Sequence, residues 1–337
     1  MADEPLRGGL IGCGEWARWH MDNMRYVPEL RMRAYADVRE AAAQAFLRKY
    51  DGDYATSDPQ RIFQDPDIDF VMICTWHNTH RPLSEAAAAA GKHIFLEKPM
   101  ALNLDDCRAI VAAVERAGVL MQLGFKFRFA PYACLAKEFL PRPVLTVGQI
   151  MDRRWADEGW FQDPLAGGGN VLSQGCHLFD LVCYLHGRKP IQVAAAGGAL
   201  THPGSPLTDC LAAAITFEDG SIAGVVAADA GPAPFTSKFF VETFGIQKSA
   251  TLYDRCHSLM TADGEAVETH TMNDLDEEGR LSPEGMVQQL REFARAMRAG
   301  KPSAIGVGPH EGFRATAVAL AAIEAARTGR VQPIPEP

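Results

Sequence analysis

Two stretches of the chain carry side chains suited to moving a proton. The first is GGGNVLSQGCHLFD, Gly167 to Asp180, in which three glycines lead into a polar run and His177 precedes Asp180 by three residues. An imidazole with a carboxylate nearby is a suitable acid or base near neutral pH. If Cys176 to His186 is helical, Leu178, Leu181, Val182 and Leu185 form its buried stripe. His177, Asp180 and Tyr184 then share another side, at i, i+3 and i+7. Gly167 to Gly169 let that helix begin close to a ligand. A lone histidine is more often a satisfied core residue, so its meaning depends on what else the chain supplies. The second stretch, FLEKPMAL, puts Glu97, Lys98 and Pro99 just past an apolar run.

The elements that must position these groups are legible in the first 125 residues. Leu6 to Ile11 is a short apolar run ending in a glycine turn. Residues 15 to 27 have helical spacing, Arg31 to Ala36 alternates like a strand, and Ala41 to Tyr50 is an alanine-rich helix. Phe70 to Cys74, His93 to Leu96 and Val119 to Leu123 read as strands. Pro82 to Ala90 and Leu104 to Ala117 read as the helices between them. Strand–helix alternation with continuously apolar strands predicts an α/β fold, a doubly wound parallel sheet covered on both faces. The ligand edge of such a sheet lies at the C-terminal ends of its strands.

The first of those ends reads GLIGCGEWARWH. Gly12 and Gly14 form G-x-G, Ala17 takes the third fingerprint position, and the motif follows a strand and opens a helix. Asp37 follows at the end of the second strand, about 20 residues on, where a carboxylate accepts hydrogen bonds from an adenosine ribose. The ligand expected is a dinucleotide, its pyrophosphate at the helix N-terminus beside Glu15 and Trp16. Asp37 favours NAD. Arg39, two residues on, could reach a 2′-phosphate and keeps NADP as the alternative.

Composition narrows the class. The chain has 337 residues, enough for two domains, and its 47% apolar and 22% charged residues are those of an ordinary globular protein. The net charge of −9 has no basic cluster, which argues against nucleic acid or an anionic membrane as partner. No apolar run approaches the roughly 18 residues of a membrane helix. The start, MADEPLRGGLIGCG, shows no signal peptide, and a cytoplasmic location is expected. The eight cysteines lack any C-x-x-C pair and read as buried thiols of a reducing compartment. Cys176, His177 and Cys183 match no common zinc spacing, so no metal is expected.

With Glu97-Lys98-Pro99 downstream of a dinucleotide fingerprint, the whole chain resembles the glucose–fructose oxidoreductase / inositol dehydrogenase / rhizopine catabolism (Gfo/Idh/MocA) family. The family's signature looks like T-P-N-x-x-H, E-K-P, G-F-N-x-R, then G-G-G followed by D-x-G-x-H-x-x-D. This chain keeps Thr75, His80, Glu97, Lys98, Pro99, Gly124, Phe125, Arg128, Gly167 to Gly169, Gly175, His177 and Asp180. It departs at Trp76, at Lys126 where asparagine is common, and at Ser173, where the family often has the aspartate of its Lys/Asp/His set.

The resemblance implies an N-terminal Rossmann domain, residues 1–125, that binds a nicotinamide cofactor. It implies a second α/β domain, residues 126–337, with a large open, mainly antiparallel sheet for substrate and oligomer contacts; the last helix could pack back on the first domain. It further implies an oxidoreductase moving a hydride to or from a secondary alcohol of a sugar, sugar derivative or cyclitol. Lys98 and His177 would handle the proton. Thr75, Trp76, His80, Glu97 and Lys98 would join the cofactor site, and Arg128, Trp155, Ser173 and Asp180 the substrate site. The alternative is a non-catalytic dinucleotide sensor of the same fold. Small or apolar residues at both parities of Leu211 to Phe217 and Ile222 to Ala228 predict a sheet with both faces covered, one by helices and one by another subunit of a homodimer or homotetramer. His77, His202, His257, His270 and His310 carry no motif and read as structural or solvated.

Overall fold

The computed structural model describes residues 4–235 and 237–337 and divides into two compact units. The first comprises Met1–Gly124 and Met286–Gly312. Its elements are β1 (Leu6–Ile11), α1 (Glu15–Met24), β2 (Leu30–Ala36), α2 (Glu40–Tyr50), β3 (Tyr54–Thr56), α3 (Gln60–Gln64), β4 (Phe70–Ile73), α4 (His80–Ala89), β5 (His93–Leu96), α5 (Leu104–Ala117) and β6 (Met121–Leu123). The six strands run parallel in the order β3-β2-β1-β4-β5-β6, which reverses direction between β1 and β4. That reversal opens a crevice at the C-terminal ends of β1 and β4. Strands β4 and β5 are apolar along nearly their whole length because helices cover both faces. Helix α5 begins with Asn103 accepting the Asp106 N–H at 2.8 Å and ends on left-handed Gly118.

The second unit comprises Phe125–Gly285 and Phe313–Pro337. It begins with α6 (Pro131–Phe139), β7 (Leu145–Met151) and α7 (Cys176–His186). The strands β8 (Pro190–Gly198), β9 (Cys210–Phe217), β10 (Ile222–Ala228), β11 (Phe239–Phe244), β12 (Lys248–Tyr253), β13 (Ser258–Asp263) and β14 (Ala266–His270) follow. After α8 (Glu277–Leu281) the chain supplies α9 (Met286–Ala299) to the first unit. Helix α10 (Pro309–Thr328) then leads into β15 (Gln332–Pro333). The nine strands form one sheet, β14-β13-β12-β11-β7-β10-β9-β8-β15, antiparallel except where β10 lies parallel to β7.

One expectation changes. Helix α9 belongs with the first sheet: Val287, Leu290, Phe293, Ala294 and Met297 enter the core of Leu10, Phe70, Met72 and Phe95. The Phe293 ring meets Phe70 and Phe95 edge-on at 5.6 and 5.7 Å. Periodicity shows that α9 has an apolar stripe, but not which sheet receives it. In the second sheet the parities separate. Ala223, Val225 and Ala227 are buried and Leu178 of α7 packs on Gly148, whereas Val147, Ile222 and Val226 stay exposed on the opposite face of this chain.

Candidate functional site

In the first unit the sites predicted from sequence gather along the C-terminal edge of the sheet. Gly12 has φ 91°, and a Cβ there would come within 2.5 Å of the Cys74 carbonyl oxygen, so only glycine lets β1 turn this close to β4. Gly14 caps α1 without any side-chain hydrogen bond, and space around it is open. The first-turn amides of α1 therefore keep their N–H groups for an anion. Glu15 and Trp16 follow at the exposed start of that helix. The Asp37 carboxylate accepts the Cys13 N–H at 2.9 Å, which fixes it beside the glycine turn, and its other oxygen accepts the Arg39 N–H at 2.9 Å. The Arg39 guanidinium is largely in solvent, 3.6 Å from Asp37. Open amides next to an anchored carboxylate fit the two ends of an adenosine diphosphate moiety.

The next strand ends bring Thr75, Trp76, Glu97 and Lys98 to the same edge. Trp76 is half exposed. Thr75 Oγ1 accepts the Thr79 hydroxyl at 2.7 Å. His80 differs from expectation: it is fully buried, with Nδ1 2.9 Å from the Pro99 carbonyl and Nε2 3.3 Å from that of Thr75. Its part is to tie the two strand-end turns together, and burial holds its pKa below the usual value.

Glu97 is likewise internal. Burial works to raise its pKa, but His20 Nε2 at 2.6 Å and the charge of Lys98 outweigh it and hold the carboxyl below the usual range. Glu97 Oε2 also accepts the Lys98 N–H at 3.1 Å. Lys98 is no surface lysine: it is 5% exposed, with Nζ 5.5 Å from the centre of the Trp16 ring. Sequence reasoning missed His20. Its signal was a histidine at the buried i+3 step from Ala17 in α1.

In the second unit, α7 begins at Cys176 as periodicity predicts, but a π turn over Val171–Gly175 precedes it. Widened turns of this kind are frequent at functional sites. The turn buries Ser173 one turn before His177. Two phenylalanine rings meet the His177 ring near-perpendicularly, Phe125 at 5.8 Å and 86° and Phe127 at 5.3 Å and 82°. Phe127 is itself stacked on Phe239 at 4.5 Å. These rings hold the imidazole in one plane.

Arg128 and Asp180 form a buried pair. Nε donates to Oδ2 at 3.0 Å and Nη2 to Oδ1, while the guanidinium lies 5.2 Å from the Tyr184 ring centre. The sequence assigned both to substrate and missed that they meet each other. Lys126 is engaged by Glu284, a residue no motif singled out.

Trp155 lies on the arm after β7. Its N–H donates to Asp229 at 3.1 Å, and its ring meets Phe161 at 5.0 Å. His202 closes this network with Nε2 3.1 Å from the Trp155 carbonyl and Nδ1 3.2 Å from Asp209. His202, Asp209 and Asp229 bring their ligating atoms within 4.8 Å of one another. Both carboxylates already accept protein donors: Asp209 from the N–H groups of Leu200, Thr201 and His202, Asp229 from Trp155 and Thr201. His202 is thus structural, as read from sequence, but not solvated.

All eight cysteines are free. Among the described residues no helix is long and apolar enough to cross a membrane.

Comparison with known proteins matches residues 6–125 to the oxidoreductase family with an NAD-binding Rossmann fold. Residues 135–242 match the GFO/IDH/MocA C-terminal domain. The chain is 31% identical to the uncharacterized oxidoreductase YrbE of Bacillus subtilis over 72% of either chain. It is 26% identical to the scyllo-inositol 2-dehydrogenase (NAD(+)) of the same organism over 89% of this chain and 88% of that one. Levoglucosan dehydrogenase in complex with NADH and levoglucosan shares the fold, with a TM-score of 0.88 at 22% identity over 99% of this chain and all of the other. The glycine turn, the Glu-Lys-Pro strand end, the nine-stranded sheet and both matched regions agree: the chain belongs to the Gfo/Idh/MocA family of oxidoreductases, with an NAD-binding Rossmann fold in its first unit.

Proposed function

We propose that the protein is an NAD-dependent dehydrogenase or reductase for a secondary alcohol or ketone of a sugar, sugar derivative or cyclitol. The observation that carries this reading is the buried Lys98 ammonium at the end of β5, on the strand edge that holds the glycine turn and Asp37. A nicotinamide cofactor, when bound, supplies the hydride acceptor or donor. Gly12, Gly14, Glu15 and Trp16 line its pyrophosphate end and Asp37 its adenosine ribose. Lys98, in a desolvated setting, favours the alkoxide over the alcohol. His177 takes up or returns the hydroxyl proton, its ring held by Phe125 and Phe127. Arg128, Trp155, Ser173 and Asp180 belong to the substrate side. Arg128 and Asp180 serve it as a fixed pair.

The substrate class is supported by relatives named for scyllo-inositol and levoglucosan, both polyhydroxylated rings. The exposed apolar face of the second sheet, with Val147, Ile222 and Val226, supports a homodimer or homotetramer built through it. A panel of sugars and cyclitols, followed by absorbance of reduced NAD, tests the function. Turnover of at least one polyol is expected. Lys98→Met and His177→Ala should each slow it by roughly 10²–10⁴ while cofactor binding persists. A His177→Ala enzyme within tenfold of the parent removes His177 from the mechanism.

A further inference from the structure

We propose that Glu284, acting through Lys126 and the turn that follows it, is a positioning and charge-setting residue for His177. The proposal rests on the acid/base reading of His177 above. The Glu284 carboxylate is mostly buried and receives Lys126 Nζ and, at 2.6 Å, Arg255 Nε. His257 Nε2 stands 3.8 Å away. Burial works to raise the Glu284 carboxyl. The nearby His257 imidazole and the charges of Lys126 and Arg255 overcome it and keep Glu284 well below the usual carboxylate range. One carboxylate therefore offsets one of two permanent cations, and the three groups together keep a net positive charge.

The backbone around this group is shaped to serve it. Asp254, Arg255 and Cys256 have φ of 49°, 58° and 66°, three successive left-handed residues of which none is glycine. That turn delivers Arg255 to Glu284. Gly285 follows with φ 87°, and a Cβ there would collide with the Lys126 carbonyl oxygen, the Ala130 nitrogen and the Phe129 carbonyl carbon. Glu284 and Gly285 are thus seated directly on the turn Lys126–Phe129. The same turn sets Phe127 near-perpendicular to the His177 ring and sends Arg128 to Asp180, the charged residue one turn further along α7.

Lys126 Nζ lies 5.2 Å from the centre of the Phe127 ring, and that ring lies 5.3 Å from the imidazole. Ammonium and imidazole are therefore at most about 10.5 Å apart, with the buried Phe127 ring near both. At an effective dielectric near 20, one uncompensated charge at that range shifts a titration by roughly 1 pH unit. With Glu284 ionised, the positive charge near the Phe127 ring is reduced by one. Where the family often has asparagine, this chain has a cation, and Glu284 holds it and offsets its charge.

The test is a titration of the His177 ring by NMR in the cofactor-free protein, the resonance assigned with His177→Asn, alongside the pH profile of kcat/KM. Glu284→Gln raises the net positive charge of the cluster by one and should move the His177 midpoint down by roughly 0.5–1 unit. Lys126→Met should move it up, the double variant should return near the parent, and Glu284→Asp should restore the profile. The kcat/KM inflection should move with the midpoint. Unchanged midpoints in folded Lys126→Met and Glu284→Asp/Lys126→Met proteins overturn the proposal even if Glu284→Gln fails to fold. Shifted midpoints with an unshifted kcat/KM inflection uphold the electrostatic link and instead overturn the acid/base role of His177.

Discussion

The Arg128–Asp180 pair offers a quantitative test of how α7 is held. Its side chains are 7% and 2% exposed, and two hydrogen bonds join the guanidinium to both carboxylate oxygens. A buried pair of this geometry contributes little over an apolar replacement, but removing one partner strands a charge out of water and costs about 3–5 kcal/mol. Asp180→Leu takes both of these hydrogen bonds from the buried Arg128 guanidinium, and the Tyr184 face, a contact worth about 1 kcal/mol, does not make up the loss. Arg128→Met leaves Asp180 as a buried carboxylate one turn from His177. Each single variant should therefore open α7 more readily by about 3 kcal/mol or more. The double variant should cost clearly less than their sum, with a coupling of about 2 kcal/mol or more, because neither charge remains. Amide exchange over Cys176–His186, read by mass spectrometry, reports this local opening. Singles that each cost under about 1 kcal/mol, or a double variant equal to their sum, would show that the pair is not a desolvated ion pair and refute the reasoning.

Further outcomes follow from other parts of the structure. Asp37→Ala should raise the preference for NADP over NAD, since a carboxylate anchored on the Cys13 N–H would face a 2′-phosphate; unchanged cofactor ratios in steady-state kinetics would exclude Asp37 from that role. Ser173→Ala should cost only about fivefold in turnover, the worth of one neutral hydrogen bond, whereas His177→Ala costs far more; equal losses would make Ser173 a full relay member. Burial holds His186 down to about 4, with Thr146 Oγ1 and Ser221 Oγ at 2.9 and 3.1 Å from its ring nitrogens. The imidazole is neutral in the fold, so the unfolded chain binds the extra proton. Its stabilisation is whole above pH 6.5, the ordinary histidine value, and falls away as pH drops through about 4. The His186→Gln protein should lack this component, of about 3 kcal/mol at most, when urea unfolding is compared at pH 7 and pH 4.5; parallel pH profiles for the two proteins would contradict it. Light scattering should find an oligomer for the parent and a smaller species for Val226→Lys, which puts a charge on the exposed sheet face; a monomeric parent at micromolar concentration would end the sheet-interface reading.

Much of this was legible in the residues because it depends on local rules. Continuous apolar strands such as Phe70–Ile73 and His93–Leu96, separated by alanine-rich helices, admit only a covered parallel sheet. Helix α7 was readable to the residue because its apolar stripe and the Gly187 that ends it are encoded within eleven positions. The glycine turn and Asp37 are likewise short-range signals that one strand and one helix suffice to place. Strand β3 and helix α3 were missed because each is too short to show a period.

What the sequence determined by itself, then, was the class of each element and the chemistry each strand end could offer. The tertiary structure alone decided which groups meet. No spacing rule pairs Arg128 with Asp180, Lys126 with Glu284 or His20 with Glu97, since each pair is separated by tens of residues or more and joined only by packing. Nor could a pattern show that His80 lies behind the strand ends, or that α9 closes the first sheet and not the second. Periodicity reports that a face is buried. Its partner is chosen by the global balance of buried area and satisfied polar groups, which is a property of the whole chain.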